Sequence, residues 1–461
     1  MLHLLELQDV GPAPQMRLEL HPRLNLLTGD NSLGKTFMLE VAWWALTRTW
    51  AGQAALPSRK DSARPRIRYQ TQGKSKTPEP VSSTFDFARQ QWPLKAGRPP
   101  MPGLTLYAKA DGGFSLWDPA RNYWKGGGPH DARTPEPPPA YHFTAEQLWF
   151  GLTLNGKQEC NGLLRDWVSW QVSYNLEQLQ SAKGTIEEEV QRWEQGVHRL
   201  RRQHLERLAA QPPFGLLMEV LKELSPHAEQ EPLVPGPKVQ LSQYGTLEIP
   251  TLQMPYGLVP ITLAAAGMKR ILGLAYFLVW SFYQHVLESN ARKQAPTDQL
   301  ILLIDEVETH LHPQWQRKIL PAILRAVKHL HPTVQVQILA TTHAPLVLAS
   351  VEPLFEADQD RLFLFELQKG QVSLRPVEFY KHGDAVDWLT SETFGLLQAR
   401  SLPAQEAIMA ALAFMRGDTA SLPAKLQTQD QIHAALLQTL AGHDPFWAHW
   451  VGPSKKKGAQ P

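Results

Sequence analysis

Apolar and polar residues alternate along residues 2–7 and again along 16–20, the two-residue period of half-buried strands. A third apolar run, residues 24–27, enters a glycine-bearing turn and is followed by an apolar helical stretch, 37–46. The opening therefore reads as three strands, a loop and a helix. Residues 55–105 are rich in Pro, Lys, Arg and Ser, with short strands expected at 103–108 and 114–117. Residues 129–139 form a loop by composition. Helical period then runs from 163 to 210, broken near 181–185 and ended by Pro212 and Pro213, with a shorter helix at 214–224. Residues 226–260 carry many prolines and little helical period, whereas 261–287 predict one long apolar helix. Residues 299–304 (QLILLI) form a continuous buried strand, and a second follows at 334–340 after one helix. Residues 381–461 read as helices and loops, with a polar Ser454-Lys455-Lys456-Lys457 tail expected to fray.

This order predicts an α/β fold with antiparallel N-terminal strands, a short helical insertion and a helical C-terminal region. The expected divisions are 1–162, 163–235 (the insertion), 236–380 and 381–461. Composition supports a folded chain, since 43% of its 461 residues are hydrophobic and 20% charged. Lys and Arg number 46 against 44 Asp and Glu, so bulk charge does not point to nucleic acid and any such contact needs a local patch. The single cysteine, Cys160, excludes an intrachain disulfide and a four-cysteine zinc site, and fits a reducing cytosol. No signal peptide is expected from the first residues. The most apolar stretch, 271–282, is shorter than the ~20 residues that span a bilayer. A cytoplasmic protein without a membrane segment is the expectation.

The chemistry is carried by Gly29-Asp30-Asn31-Ser32-Leu33-Gly34-Lys35-Thr36, which fits the phosphate-binding pattern G-x-x-x-x-G-K-[ST] between a buried strand and an apolar helix. Glycines let the backbone turn its N–H groups around phosphates, Lys35 reaches the β- and γ-phosphates, and Thr36 places a hydroxyl on Mg²⁺. The competing reading is a glycine turn with an incidental lysine. The strand at 299–304 ends in Asp305-Glu306, where Asp305 would hold Mg²⁺ and Glu306 would polarise the attacking water. Alone, a strand ending in two acids is more often a turn or a cap. The next buried strand ends in His343, placed as a residue sensing a γ-phosphate would be. ATP and Mg²⁺ are thus the expected cofactors.

Taken together, these pieces resemble the ABC-class ATPase heads of the SMC/RecF/OLD group. Asp305-Glu306-Val307-Glu308-Thr309-His310-Leu311-His312-Pro313-Gln314-Trp315-Gln316 is similar to that group's DEPE-hLHP-W block, and Thr341-Thr342-His343-Ala344-Pro345-Leu346-Val347 to its TTHSP block. The resemblance implies a RecA-like core sheet and an ATP-sandwich homodimer. In that dimer the signature region, Ala265 to Arg270, faces the nucleotide of the other head through Ala265, Ala266 and Gly267. It implies catalytic roles for Lys35, Glu306 and His343, and metal contacts from Thr36 and Asp305. The chain departs from the pattern at Ala265, where a serine commonly contacts the γ-phosphate, so slow turnover is expected. Gln90, Gln91 and Gln171 are open candidates for the Mg²⁺-sensing glutamine. His310 and His312 are explained by the family block rather than by a transition-metal site.

The helical insertion lacks sustained heptads, so a long coiled-coil arm is excluded. Arg192, Arg199, Arg201, Arg202 and Arg207 with Trp193 would suit a DNA phosphate contact, although interspersed glutamates favour a solvated face. Asp358-Gln359-Asp360 looks like the metal-binding pair of a TOPRIM nuclease but reads as a loop, leaving an ATPase without its own nuclease. The resemblance extends more loosely to stand-alone anti-phage defence ATPases. The favoured expectation is an ATPase regulating a separately encoded effector nuclease, in a defence pair of the Septu or retron kind. A RecF-like DNA-repair ATPase is the alternative.

Overall fold

The computed structural model describes residues 1–57, 64–71, 79–93, 102–122, 140–181, 213–225, 233–331 and 333–450. They fall into two compact units, Met1–Lys381 and His382–Pro461. In the first unit, strands β1 (Leu2–Gln8), β2 (Gln15–Glu19) and β3 (Leu24–Gly29) lead to helix α1 (Lys35–Thr47). Next come β4 (Arg66–Thr71), β5 (Val81–Thr84), β6 (Leu104–Ala108), β7 (Phe114–Trp117), β8 (Tyr141–Phe143), α2 (Ala145–Phe150), β9 (Leu152–Leu154) and β10 (Lys157–Cys160). Helices α3 (Leu163–Ser181) and α4 (Pro213–Leu224) precede β11 (Val234–Gln240), β12 (Glu248–Met254) and β13 (Gly257–Pro260). The unit ends with α5 (Ala266–Ala291), β14 (Gln299–Ile304), α6 (Pro313–Gln316), α7 (Ile319–Leu330), β15 (Gln335–Thr341), α8 (Pro345–Val351), β16 (Asp360–Gln368) and β17 (Gln371–Val377).

The central sheet has the order β17-β16-β3-β15-β14-β6-β7-β8. Its five middle strands, β16, β3, β15, β14 and β6, run parallel, with antiparallel strands at both edges. Register sets Leu26, Ala340, Ile304 and Ala108 side by side, so the loops after β3, β15, β14 and β6 leave the sheet together. Ligands bind at that carboxyl edge in open parallel sheets.

A second, antiparallel sheet, β2-β1-β4-β5, accompanies the N-terminal part. Helix α1 is apolar nearly all round because the core that encloses it draws on both sheets: Leu5 and Tyr69 from one, Leu303 and Phe365 from the other. Trp44 stacks on Trp50 at 5.4 Å and meets Tyr69 and Trp92, which accounts for part of the tryptophan-rich composition.

Several strands escaped the sequence reading. β4 and β5 lie in the basic, proline-rich stretch, and β11 carries two prolines yet pairs with β12 as an edge strand with a register shift between Gly236 and Val239. Proline is tolerated at such edges because the missing N–H need not join a ladder. β16 and β17 fall between the second buried strand and the helical C-terminal region, where no strand was expected. The long apolar helix starts at Ala266, since residues Ile261–Leu263 form a separate 3₁₀ turn and Ala265 is extended. Residues 182–212 and 226–232 of the insertion, with Arg192 to Arg207 among them, and the Ser454–Lys457 tail lie outside the described residues.

The second unit is helical: α9 (Ala385–Thr390), α10 (Leu402–Arg416), α11 (Gln429–Thr439) and α12 (Phe446–Trp450). Its core gathers Ala407, Ile408 and Ala411 of α10 with Ile432 and Leu436 of α11. Ser401 caps α10, and Thr428 and Gln431 form a capping box on α11.

Candidate active site

β3 runs into the phosphate loop, and two glycines make the turn. Gly29 has φ 123°, and a Cβ there would lie 1.9 Å from the Phe365 carbonyl oxygen on the neighbouring β16. Gly34 has φ 101° and caps α1, with a Cβ meeting Pro12 at 2.7 Å. Leu33 is buried and anchors the loop, while Asp30, Asn31 and Ser32 are exposed at its crest. The first turn of α1 holds no acidic residue, so its amide groups and dipole favour an anion. Lys35 is only 5% exposed, and its ammonium donates to the Gly29 carbonyl at 2.9 Å and the Asp30 carbonyl at 2.5 Å. An ammonium has three donors, so one remains for a phosphate oxygen. Burial lowers the Lys35 pKa from 10.5 to about 8, against the opposing pull of Asp30, Glu306, Asp305 and Glu308.

Asp305 lies at the end of β14, almost fully buried. The Thr36 hydroxyl donates to it at 3.0 Å and the Thr341 hydroxyl at 2.8 Å, so α1, β14 and β15 meet on one carboxylate. Burial pushes its pKa up, and the two hydroxyls work against that. A hydroxyl and a carboxylate in contact are hard oxygen donors that suit Mg²⁺ retaining part of its water shell. Glu306 follows with φ 45°, a conformation costly for a non-glycine residue. Its amide donates to Thr341 Oγ1 at 2.7 Å, and its carboxylate accepts the Thr309 hydroxyl at 2.9 Å.

His343 leaves β15 beside these groups. Its backbone N–H donates to Glu308 Oε1 at 2.5 Å, and its ring is half-buried with the Gly29 carbonyl in hydrogen-bond reach. Burial and then the Lys35 charge lower its pKa, while Glu308 and Glu306 pull it up. The expected phosphate loop, Asp305, Glu306 and His343 therefore converge on three adjacent strand ends.

The signature residues sit differently. Ala265 and Ala266 are exposed at the N-terminus of α5, and no side chain caps that end. Gly267 is buried because the acidic loop crosses it: a Cβ would lie 2.5 Å from the His310 carbonyl oxygen. Arg270 donates to the Lys109 carbonyl at 2.9 Å and the Asp305 carbonyl at 3.0 Å, which ties the helix to the acidic loop of its own chain.

The three glutamine candidates are engaged elsewhere. Gln90 donates to the Phe87 carbonyl at 2.7 Å on an exposed turn, Gln91 pairs with Asp86 through the backbone, and Gln171 donates to Gly236 at 3.0 Å. β6, the strand beside β14, ends instead in Lys109, whose ammonium donates to the Ala51 carbonyl at 2.5 Å. Nothing in the local sequence flags Lys109; it follows only from the sheet order. Glu308 was also passed over, although it lies in the same acidic block. His312 accepts the Gln314 amide as the cap of α6, and Asp360 is held by Arg23 at 2.8 Å rather than paired with Asp358. Among the described residues no group of three His, Cys, Asp or Glu is arranged to hold a metal ion.

A glycine loop shaped for phosphate, a hydroxyl–carboxylate pair and a strand-end histidine, gathered on one parallel sheet, fit an ATPase that resembles the SMC/RecF/OLD group. The family described as AAA ATPase domain matches residues 180–348, a span that contains the signature, acidic and histidine segments but begins after the phosphate loop. The Septu protein PtuA of Bacillus thuringiensis is 34% identical over 113 residues, 23% of this chain and 25% of that protein. The retron Ec83 probable ATPase of Escherichia coli is 38% identical over 52 residues, 11% of this chain and 8% of that one. The matches span a quarter or less of these relatives. Among solved structures, the SMC head domain from Thermotoga maritima covers 82% of this chain and 99% of that one, at 12% identity and a TM-score of 0.33. An SMC head bound to the C-winged helix domain of ScpA covers 82% and 98%, at 11% identity and a TM-score of 0.39. The fold description rests on the strand order and the site rather than on those overlaps. No helix among the described residues is long and apolar enough to cross a membrane.

Proposed function

We propose that the chain is a Mg²⁺-dependent ATP hydrolase that closes as a homodimer around ATP, and that its nucleotide state controls a separately encoded effector nuclease in a defence pair. The observation that carries the reading is the Thr36–Asp305–Thr341 junction, with Lys35, Glu306 and His343 around it. Lys35 and the α1 amides would hold the β- and γ-phosphates. Thr36 and Asp305 would hold Mg²⁺, which when bound neutralises charge developing on the phosphate oxygens. Glu306 would accept the proton of the attacking water, after its carboxylate leaves the Thr309 hydroxyl. Ala265 and Ala266, exposed at an uncapped helix N-terminus, are available to a nucleotide held by a second copy. The similarity to a Septu protein and a retron ATPase supports the defence role and an effector encoded nearby. On this reading the protein would act in the cytosol beside that effector.

Glu306→Gln tests the central claim, because an amide keeps the shape but cannot take the proton. With Mg-ATP the variant should hydrolyse at least about a hundredfold more slowly, within the range general-base catalysis supplies. It should also elute as a dimer or larger assembly. Wild-type hydrolysis in that variant would move the base elsewhere, and a monomer at saturating ATP would remove the sandwich.

A further inference from the structure

We propose that Glu308 is a positioning residue for hydrolysis: its carboxylate pins the histidine loop to the acidic loop, and so fixes where His343 stands relative to the phosphates. The proposal rests on the ATPase reading above.

The corner after β15 must satisfy its backbone amides one by one. The Thr342 N–H donates to the Leu27 carbonyl at 3.0 Å, and the Ala344 N–H to the Thr342 hydroxyl at 3.1 Å. The His343 N–H between them goes to a side chain on a different loop, Glu308 Oε1, at 2.5 Å. Glu308 is itself held on a fixed backbone. The amide before it, that of Val307, donates to the Thr341 carbonyl at 3.1 Å, and the Glu308 carbonyl accepts the Leu311 amide at 2.9 Å. The contact therefore joins two braced loops rather than two loose ones.

An acceptor oxygen at this reach satisfies the His343 amide and fixes the backbone from which the imidazole is carried. Glu308 Oε2 is buried and has no hydrogen-bond partner. Two roles can thus be separated by atom: Oε1 holds His343, whereas a base would work through Oε2. The proposal assigns the function to Oε1. Glutamine keeps a carbonyl oxygen at the same reach and discards the charge and the second acceptor; alanine discards both.

The test compares Glu308→Gln and Glu308→Ala in the full chain by steady-state ATPase, ATP affinity and amide hydrogen exchange of a peptide covering 342–344. Glu308→Ala should lower kcat tenfold or more while KM and ATP affinity stay within twofold, and the His343 amide should exchange faster. Glu308→Gln should stay near wild type in turnover and in exchange. Equal losses in both variants would make Glu308 a charged base and overturn the positioning role. Unchanged turnover or unchanged exchange in Glu308→Ala would overturn it as well, as would a matching loss of ATP affinity. If wild type and Lys35→Ala hydrolyse ATP equally, the ATPase reading falls instead; the exchange of the nucleotide-free protein still decides whether the pin exists.

Discussion

If Lys35 holds the phosphates as proposed, its buried ammonium should give ATP binding a pH limit well inside an accessible range. In the nucleotide-free protein its pKa falls from 10.5 to about 8, which corresponds to roughly 3 kcal/mol acting against the charged form. A bound triphosphate supplies the missing counter-charge and restores the proton, so binding above pH 8 must take one up. At pH 9 about one empty site in eleven carries the ammonium, against about ten in eleven at pH 7, so the dissociation constant should rise about tenfold. Phosphate titrates near 6 and is fully ionised across this window. The sign for folding is opposite. Between pH 8 and 10.5 the unfolded chain holds more protons at this group than the folded one, so Lys35 adds stability as pH rises while affinity falls. Titrating a fluorescent ATP analogue without metal from pH 7 to 9.5, with proton uptake followed by calorimetry in two buffers, gives the answer. Lys35→Ala should bind far more weakly and lose the pH step. A flat affinity profile in wild type, or the same slope in Lys35→Ala, would refute the argument.

Two further substitutions act on the N-terminal end of α5. Ala265→Ser should raise turnover or tighten ATP-driven dimerisation by up to about tenfold, through a hydroxyl donated to the γ-phosphate held by the other copy. Because Ala265 is also the uncapped first position of its own helix, the serine should stabilise the nucleotide-free protein by about 1 kcal/mol, so denaturant unfolding separates the two effects. Fast wild-type turnover with no gain from serine would show that another group already fills that role. Gly267→Ala drives a Cβ into the His310 carbonyl and should cost about 1–3 kcal/mol in unfolding experiments, with a fall in kcat as the acidic loop shifts. Unchanged stability would mean that the helix and the loop can part freely.

What could be read from sequence followed from how local each signal is. The run 299–304 is buried on both faces and bounded by acids, so it shows as a strand without help from its partners, and β14 has those bounds. The phosphate loop was equally plain, since its glycines answer to backbone demands within eight residues. β11 was hidden because Pro235, Gly236 and Pro237 favour turns, a preference that pairing with β12 overrides, whereas β4 alternates as a strand does and was obscured by the basic, proline-rich stretch around it. β16 was missed for a related reason: Phe363 and Phe365 earn their burial from β3, more than three hundred residues upstream. The Lys109 carbonyl comes within reach of Arg270 because β6 inserts beside β14, a non-local pairing that no spacing announces. Gly267, which the resemblance sets opposite a phosphate held by another copy, also lies against a carbonyl of its own chain. A glycine records that something comes close without recording what.

That close approach sets how one site can speak to another. Arg270 carries its charge into a half-buried position and spends its donors on carbonyls, two of which belong to Lys109 and Asp305. Burial lowers its pKa, while Asp305, Glu306 and Glu308 pull it up, so the guanidinium is stable there only while the acidic loop stays near. Gly267 lets the helix backbone sit directly against that loop at His310, and Glu306 keeps its left-handed backbone within the same frame. The end of α5 that shows Ala265 and Ala266 outward and the loop that carries Asp305 and Glu306 are therefore braced as one block. Displacing the exposed alanines would also strain the contacts that Gly267 and Arg270 make with that loop. In a dimer closed around ATP, contact made by one copy's helix would be felt at that copy's own metal and water positions, which is the mechanical requirement for two nucleotides to be sensed together.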